Sequence, residues 1–237
     1  EIFYGSPVLP GAMLMISNSI YLPLPVILAM TPESMHDQAT VYISVSALPS
    51  MAFMWTVCVV LLSGDPSKLT GNERKKLIFN APLIAIVIGI ILSFIPGMTA
   101  AAKNVPGSPI PLKMIFAVMG YMSQTLSPLA MLILGGFIAS SKMTERFRIR
   151  HVFPLIGIRL FLAPLLVYGL IHYEIIKLPP LAAMVLLLAA AAPPATNHSL
   201  IARKYDGEWQ LVSSLQLLVH AVALFTLPFW LTLGMGF

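Results

Sequence analysis

The chain has 237 residues, 58% of them hydrophobic and only 10% charged, with a mean hydropathy of +0.88. Soluble domains are about 45–50% apolar and about 25% charged, so the composition excludes an ordinary water-soluble globule and implies an integral protein of a lipid bilayer. The net charge of +5 is scattered over short connectors, which argues against nucleic acid as a partner, and the single cysteine, Cys58, excludes an intrachain disulfide.

A window of about 19 residues finds seven apolar runs, each long enough to cross about 30 Å of hydrocarbon as a helix. No run alternates strictly, so a closed barrel is excluded and helices are the remaining spanning structure. The first run, 7–30, is interrupted by "SNSIYLPLPVIL" from Ser17 to Leu28, which carries Asn18, Ser19, Pro23 and Pro25 where an unbroken span would carry Leu. The second, 40–62, leads into the polar connector "SGDPSKLTGNERKK" at Ser63 to Lys76. The third and fourth, 78–97 and 114–140, flank "PGMTAAAKNVPGSPIPLK" at Pro96 to Lys113. In the fourth run Gln124 and Ser127, before Pro128, either line a cavity or join helices by hydrogen bonds.

The fifth run, 152–172, holds Arg159, the only Arg or Lys well inside a span. Intramembrane charge is costly, so Arg159 either neutralises an anionic substrate or extends its long stem toward the cytoplasmic interface, about two turns away; the second reading is preferred. The sixth run, 179–204, is interrupted by "AAAAPPATNHSLIARKY" from Ala189 to Tyr205, with Pro193, Pro194, Thr196, Asn197 and His198 at mid-depth. The seventh, 208–234, contains Ser213, Ser214 and Gln216, a further candidate for lining a cavity.

Lys and Arg set the orientation. The connectors 63–77, 141–151 and 203–207 hold Lys68, Arg74, Lys75, Lys76, Lys142, Arg146, Arg148, Arg150, Arg203 and Lys204, against Lys103, Lys113 and Lys177 on the opposite side. The positive-inside bias places those three connectors in the cytoplasm, with the N-terminal stub inside and the C-terminus outside. The chain is thus expected to be a multi-pass protein of the cell membrane.

The two interrupted spans then run in opposite directions, and each is followed by a short polar connector and one further span. That pattern predicts an inverted-repeat transporter, because paired Pro-interrupted helices are the strongest sequence pointer to a transporter's binding site. Proline removes a backbone donor and clashes one turn back, and the freed groups are tolerated only where they line a cavity or are buried in protein. Half-helix N-termini then present partial positive charge to an anion. The expected division is 1–62 for the end of one repeat, 63–77 for a cytoplasmic loop and 78–237 for the other. If the halves match, about three helices, on the order of 75 residues, are expected ahead of Glu1.

The interrupted pair, joined by "LIFNAPLIAIVIGIILSFIPG" (Leu77 to Gly97) and "SPLAMLILGGFIA" (Ser127 to Ala139), resembles the auxin efflux carrier family, which includes plant PIN proteins and prokaryotic organic-anion carriers. The resemblance runs along essentially the whole chain. It implies a fold shared with bile-acid/sodium symporters, in which two broken helices cross at the substrate site, and it suggests a homodimer. Ser17-Asn18-Ser19 resembles the turn before the family's first crossover, and Pro25 falls on its crossover proline. Asn197 lies in the second crossover, and Ala202-Arg203-Lys204-Tyr205 resembles the run that closes it. His198 stands where plant members carry proline, and Pro193-Pro194 are adjacent, so the unwound segment is expected to shift by a turn. The short middle loop looks more like prokaryotic members, for which malate and malonate are typical substrates.

The expected function is therefore a secondary carrier, not an enzyme, that moves a small organic anion such as an auxin-like carboxylate, malate or malonate by alternating access. The candidate substrate-binding residues are Asn18, Ser19, Pro25, Pro193, Pro194, Asn197 and His198, with Gln124 and Gln216 lining the cavity and no cofactor or metal. Asn18 and Asn197 either contact substrate or satisfy the freed backbone of their own helices. His198 is either a proton-coupling group or a packed, hydrogen-bonded one. Asn197-His198-Ser199 is formally a glycosylation sequon, but its depth in a span precludes use. A sodium-coupled symporter of the bile-acid type is the alternative, disfavoured because no Asp or Glu lies mid-span. A seven-helix receptor is remote, since a retinal protein needs a mid-membrane Lys. An intramembrane enzyme is equally remote, since His36, His151, His172, His198 and His220 show no ligand spacing.

Overall fold

The computed structural model describes residues 8–62, 81–140 and 149–236. Among these the chain is helical, and its only extended pairing is an isolated bridge. The proposed cytoplasmic connector 63–77 and most of 141–151 lie outside the described residues, as do the side chains of Ser127 and His151.

The first apolar run forms two short helices, α1 (Val8–Met15) and α2 (Pro23–Met30), separated by an irregular stretch from Ile16 to Leu22. Pro23 occupies the first turn of α2, where its missing N–H costs nothing and its fixed φ suits helix initiation. A long helix α3 (Glu33–Leu62) follows and contains a π-helical turn at Met54–Cys58. Then come α4 (Ala81–Ser93), α5 (Met98–Ala102) and α6 (Ile110–Ser140). Gly97 caps α5 at φ 91°, a left-handed conformation that a side chain would strain.

Helix α7 (149–172) carries a second π-helical turn at Gly157–Leu162. The sixth run again divides, into α8 (Pro180–Ala191) and α9 (Asn197–Lys204). Ala192 is extended at φ −66° and ψ 141°, as expected of a residue whose helical conformation is disfavoured by a following proline. The last helix, α10, spans Trp209–Gly234.

Three helices are long and apolar enough to cross a membrane among the described residues: Glu33–Leu62, Val152–His172 and Trp209–Gly234. Leu83–Ser93 and Pro180–Ala191 are shorter apolar helices. The run expected over 78–97 is helical only to Ser93, after which turns occupy 94–97. The interrupted runs yield half-length helices, because a span broken by proline cannot maintain one continuous ladder.

Two buried clusters flank the breaks. Met13 of α1, Met54 and Leu62 of α3, Leu155 of α7, Ile201 of α9 and Leu215 of α10 form one. Ile27 of α2, Ile43 of α3 and Leu181 and Leu188 of α8 form the other. Each interrupted run thus contributes one half to each cluster, so the breaks lie between them. Outward-facing apolar side chains such as Phe94, Leu132 and Phe225 are 73–81% exposed, which suits contact with lipid tails in a membrane-embedded protein. Gly207 closes the turn between α9 and α10 so tightly against the Leu62 carbonyl that an added Cβ would collide with it.

Candidate functional site

The two interruptions pair with each other. Ser17 and Pro194 form an antiparallel bridge, with the Asn18 N–H donating to the Pro193 carbonyl at 2.7 Å and the Ala195 N–H donating to the Ile16 carbonyl at 3.1 Å. Both bonds flank the bridge, so Pro194 occupies the non-hydrogen-bonded position, the one place in an antiparallel pair where a missing N–H costs nothing. The second unwound segment covers 192–196, and Asn197 already begins α9.

Other buried groups bond carbonyls at and beside the breaks. Gln216, fully buried on α10, donates from Nε2 to the Ala195 carbonyl at 2.5 Å and accepts from the Ser199 hydroxyl. Arg159 donates from Nε to the Ala192 carbonyl at 3.1 Å, from Nη2 to Ala189 at 3.3 Å and from Nη1 to Leu14 at 3.5 Å. Its side chain is 9% exposed. The expectation that Arg159 extends to the cytoplasmic interface is therefore overturned: the π-helical turn directs it inward, to the carbonyl ends of α1 and α8. Helix C-termini carry partial negative charge, and a cation there is stabilising by about 0.3–1 kcal/mol at exposed sites and up to about 2 kcal/mol when partly buried. Trp230 steadies the same turn by donating from Nε1 to the Leu160 carbonyl at 2.8 Å.

Beside the bridge lies a small, partly open cleft. The stretch from Ile16 to Tyr21 forms one wall, Ala195 and Asn197 another, and Ser50, Met51 and Met54 of α3 the third. Among the described residues no charged side chain lines it. Asn18 is 2% exposed, and its Nδ2 amide has no hydrogen-bond partner among the described residues. The cleft abuts the start of α9, whose first-turn amides point along a positive helix end.

Of the residues expected at the site, Asn18, Ser19 and Asn197 line this cleft. Pro193 and Pro194 shape it through the bridge without lining it. Pro25 is exposed within α2, away from the lining. His198 is fully buried outside the lining, and among the described residues neither ring nitrogen has a hydrogen-bond partner. Gln216 holds the second break instead of facing the cleft, and Gln124 is exposed on α6. The sequence reading missed Ser50, Met51 and Met54. A polar Ser50 beside Pro49 in an apolar helix was the available signal. Among the described residues no group of His, Cys, Asp and Glu converges to hold a metal ion.

Neither the curated proteins nor the solved structures provide a match to this chain. A family model described as "Membrane transport protein" matches residues 9–231. That family is one of transporters and not of enzymes. The chain therefore belongs to the membrane transport protein family of auxin efflux carrier and PIN-like proteins.

Proposed function

We propose that this protein is a secondary carrier that moves a small organic anion across the cell membrane by alternating access, with the substrate held where the two broken helices cross. The observation that carries this reading is the Asn18 Nδ2 amide, buried beside the cleft with no partner among the described residues. The bridge, Arg159 and Gln216 engage backbone groups of the breaks, and the Asn18 amide is left over as a donor among the described residues. A carboxylate in the cleft would accept from it, from the hydroxyl of Ser19 and from Asn197, with the N-terminal end of α9 adding favourable charge. Ile16, Met51 and Met54 would cover an apolar body.

In this reading 1–62 and 78–237 belong to inverted repeats joined by the cytoplasmic loop 63–77, and seven spans cross the bilayer. Auxin-like carboxylates, malate and malonate are the candidate substrates. No metal takes part in holding them. A membrane potential negative inside would drive anion export by about 2.3 kcal/mol per charge per 100 mV, so uniport would need no coupling ion.

The test is a current recording from the full-length protein in liposomes on a solid-supported membrane. Malate, malonate and indole-3-acetate are applied with and without sodium, beside Asn18→Ala and Asn197→Ala. A sodium-independent current for one of these anions, lost in both variants, is expected. A strict sodium requirement would instead place the protein with the sodium-coupled symporters, and absence of current for every anion would overturn the electrogenic carrier reading.

A further inference from the structure

Arg159 is the one charged side chain in the buried set of the described residues, and no acidic group is buried with it. Its guanidinium spends its donors on three backbone carbonyls from two different helices: Leu14 in the last turn of α1, and Ala189 and Ala192 at the end of α8. Those two helix ends carry partial negative charge of the same sign and repel when brought together. Pairing Ser17 with Pro194 forces them together. A planar cation between them removes the repulsion and satisfies carbonyls that the breaks release, a task suited to a fork of fixed donors.

Arg159 is absent from the cleft lining. It stands on the π-helical turn Gly157–Leu162, a feature that interrupts α-helices at functional sites more often than elsewhere. Trp230 fixes that turn from α10. We infer that Arg159 is a positioning residue: it fastens the carbonyl ends of both broken helices to α7, keeps Ser17 and Pro194 paired, and so preserves the cleft without touching its contents. α1, α8 and α7 then meet at one point and move as a unit there.

The test compares wild type with Arg159→Met and Arg159→Lys in the full-length protein in lipid nanodiscs, by hydrogen–deuterium exchange resolved to peptides. In Arg159→Met, exchange at the Asn18 and Ala195 amides is expected to rise at least about ten-fold, the free-energy equivalent of one lost hydrogen bond. The first turns of α3 remain as in wild type. Arg159→Lys, which retains the charge, is expected to restore part of that protection. Wild-type protection of both amides in Arg159→Met overturns the inference, as does a Lys variant no better than the Met one. Should Arg159→Met fail to fold, Arg159→Lys decides alone: faster exchange confined to these two segments supports the inference, and unchanged or uniformly raised exchange overturns it.

The transport arm rests on the carrier reading above. With indole-3-acetate or malonate, Arg159→Lys is expected to lower the maximal current at unchanged half-saturation. A raised half-saturation with undisturbed exchange would make Arg159 a substrate contact instead. Absence of current in wild type would sink the carrier reading alone, since the exchange measurement needs no substrate.

Discussion

Ser17 and Pro194, 177 positions apart in the chain (194 − 17), face each other across a single antiparallel bridge between two interrupted helices. The proline stands at the one register that asks no N–H of it. A shift by one residue would place Pro194 where the pair needs a donor, so the register of the two breaks is selected by what proline lacks.

Asn18 makes a first prediction. Its Nδ2 has no partner among the described residues, so Asn18→Ala removes no bond among them through that atom. Thermal stability is expected to fall by less than about 1 kcal/mol, because removing an unpaired buried donor offsets part of the cost of the void left by the side chain. A hydrogen bond to a charged group contributes about 1.5–3 kcal/mol, so apparent affinity for a transported carboxylate should fall roughly 10- to 150-fold. A melting curve and a half-saturation measurement on the same preparation check both parts; a large loss of stability would mean that Asn18 serves the fold.

Gln216 should behave in the opposite way. It joins the Ala195 carbonyl to the Ser199 hydroxyl inside the protein. Gln216→Leu leaves a buried carbonyl without its donor, at a cost of about 1–3 kcal/mol. Denaturation of the detergent-solubilised protein is expected to show this loss, and an unchanged midpoint would count against the network.

Gly207 permits contact between the α9–α10 turn and the end of α3. A Cβ at this position meets the Leu62 carbonyl, which is backbone and cannot rotate away. Gly207→Ala is expected to destabilise by about 1–3 kcal/mol, the usual range for overpacking. Gly120, with nothing near its added Cβ, is the control, and Gly120→Ala should cost nothing measurable.

Trp230 offers a fourth. Trp230→Phe retains most of the buried ring but loses the donor to the Leu160 carbonyl. The expected cost is about 1–3 kcal/mol, together with weaker protection of amides in 157–162 under hydrogen exchange. Equal protection in the variant would show that the π-helical turn holds itself.

The membrane setting, the helical class and the positions of both interruptions were legible in the sequence, because they depend on local chemistry. Apolar runs exclude water over their whole length, and clustered prolines and polar residues at 17–25 and 193–198 mark the breaks, whereas the lone Pro49 and Pro128 are carried inside continuous helices. Asn18, Ser19 and Asn197 could be singled out for the same reason: polar groups at a break are conspicuous in an apolar run. What Pro194 faces, where Arg159 points and which wall Ser50, Met51 and Met54 supply were decided by the tertiary structure. Arg159 shows why. Along the chain its nearest escape is the interface, but in three dimensions the carbonyl ends of two broken helices lie within reach of its guanidinium. Reaching an unsatisfied carbonyl in the interior replaces the hydration that the side chain gives up, and no local pattern records that a helix end from residue 14 will be there to accept it.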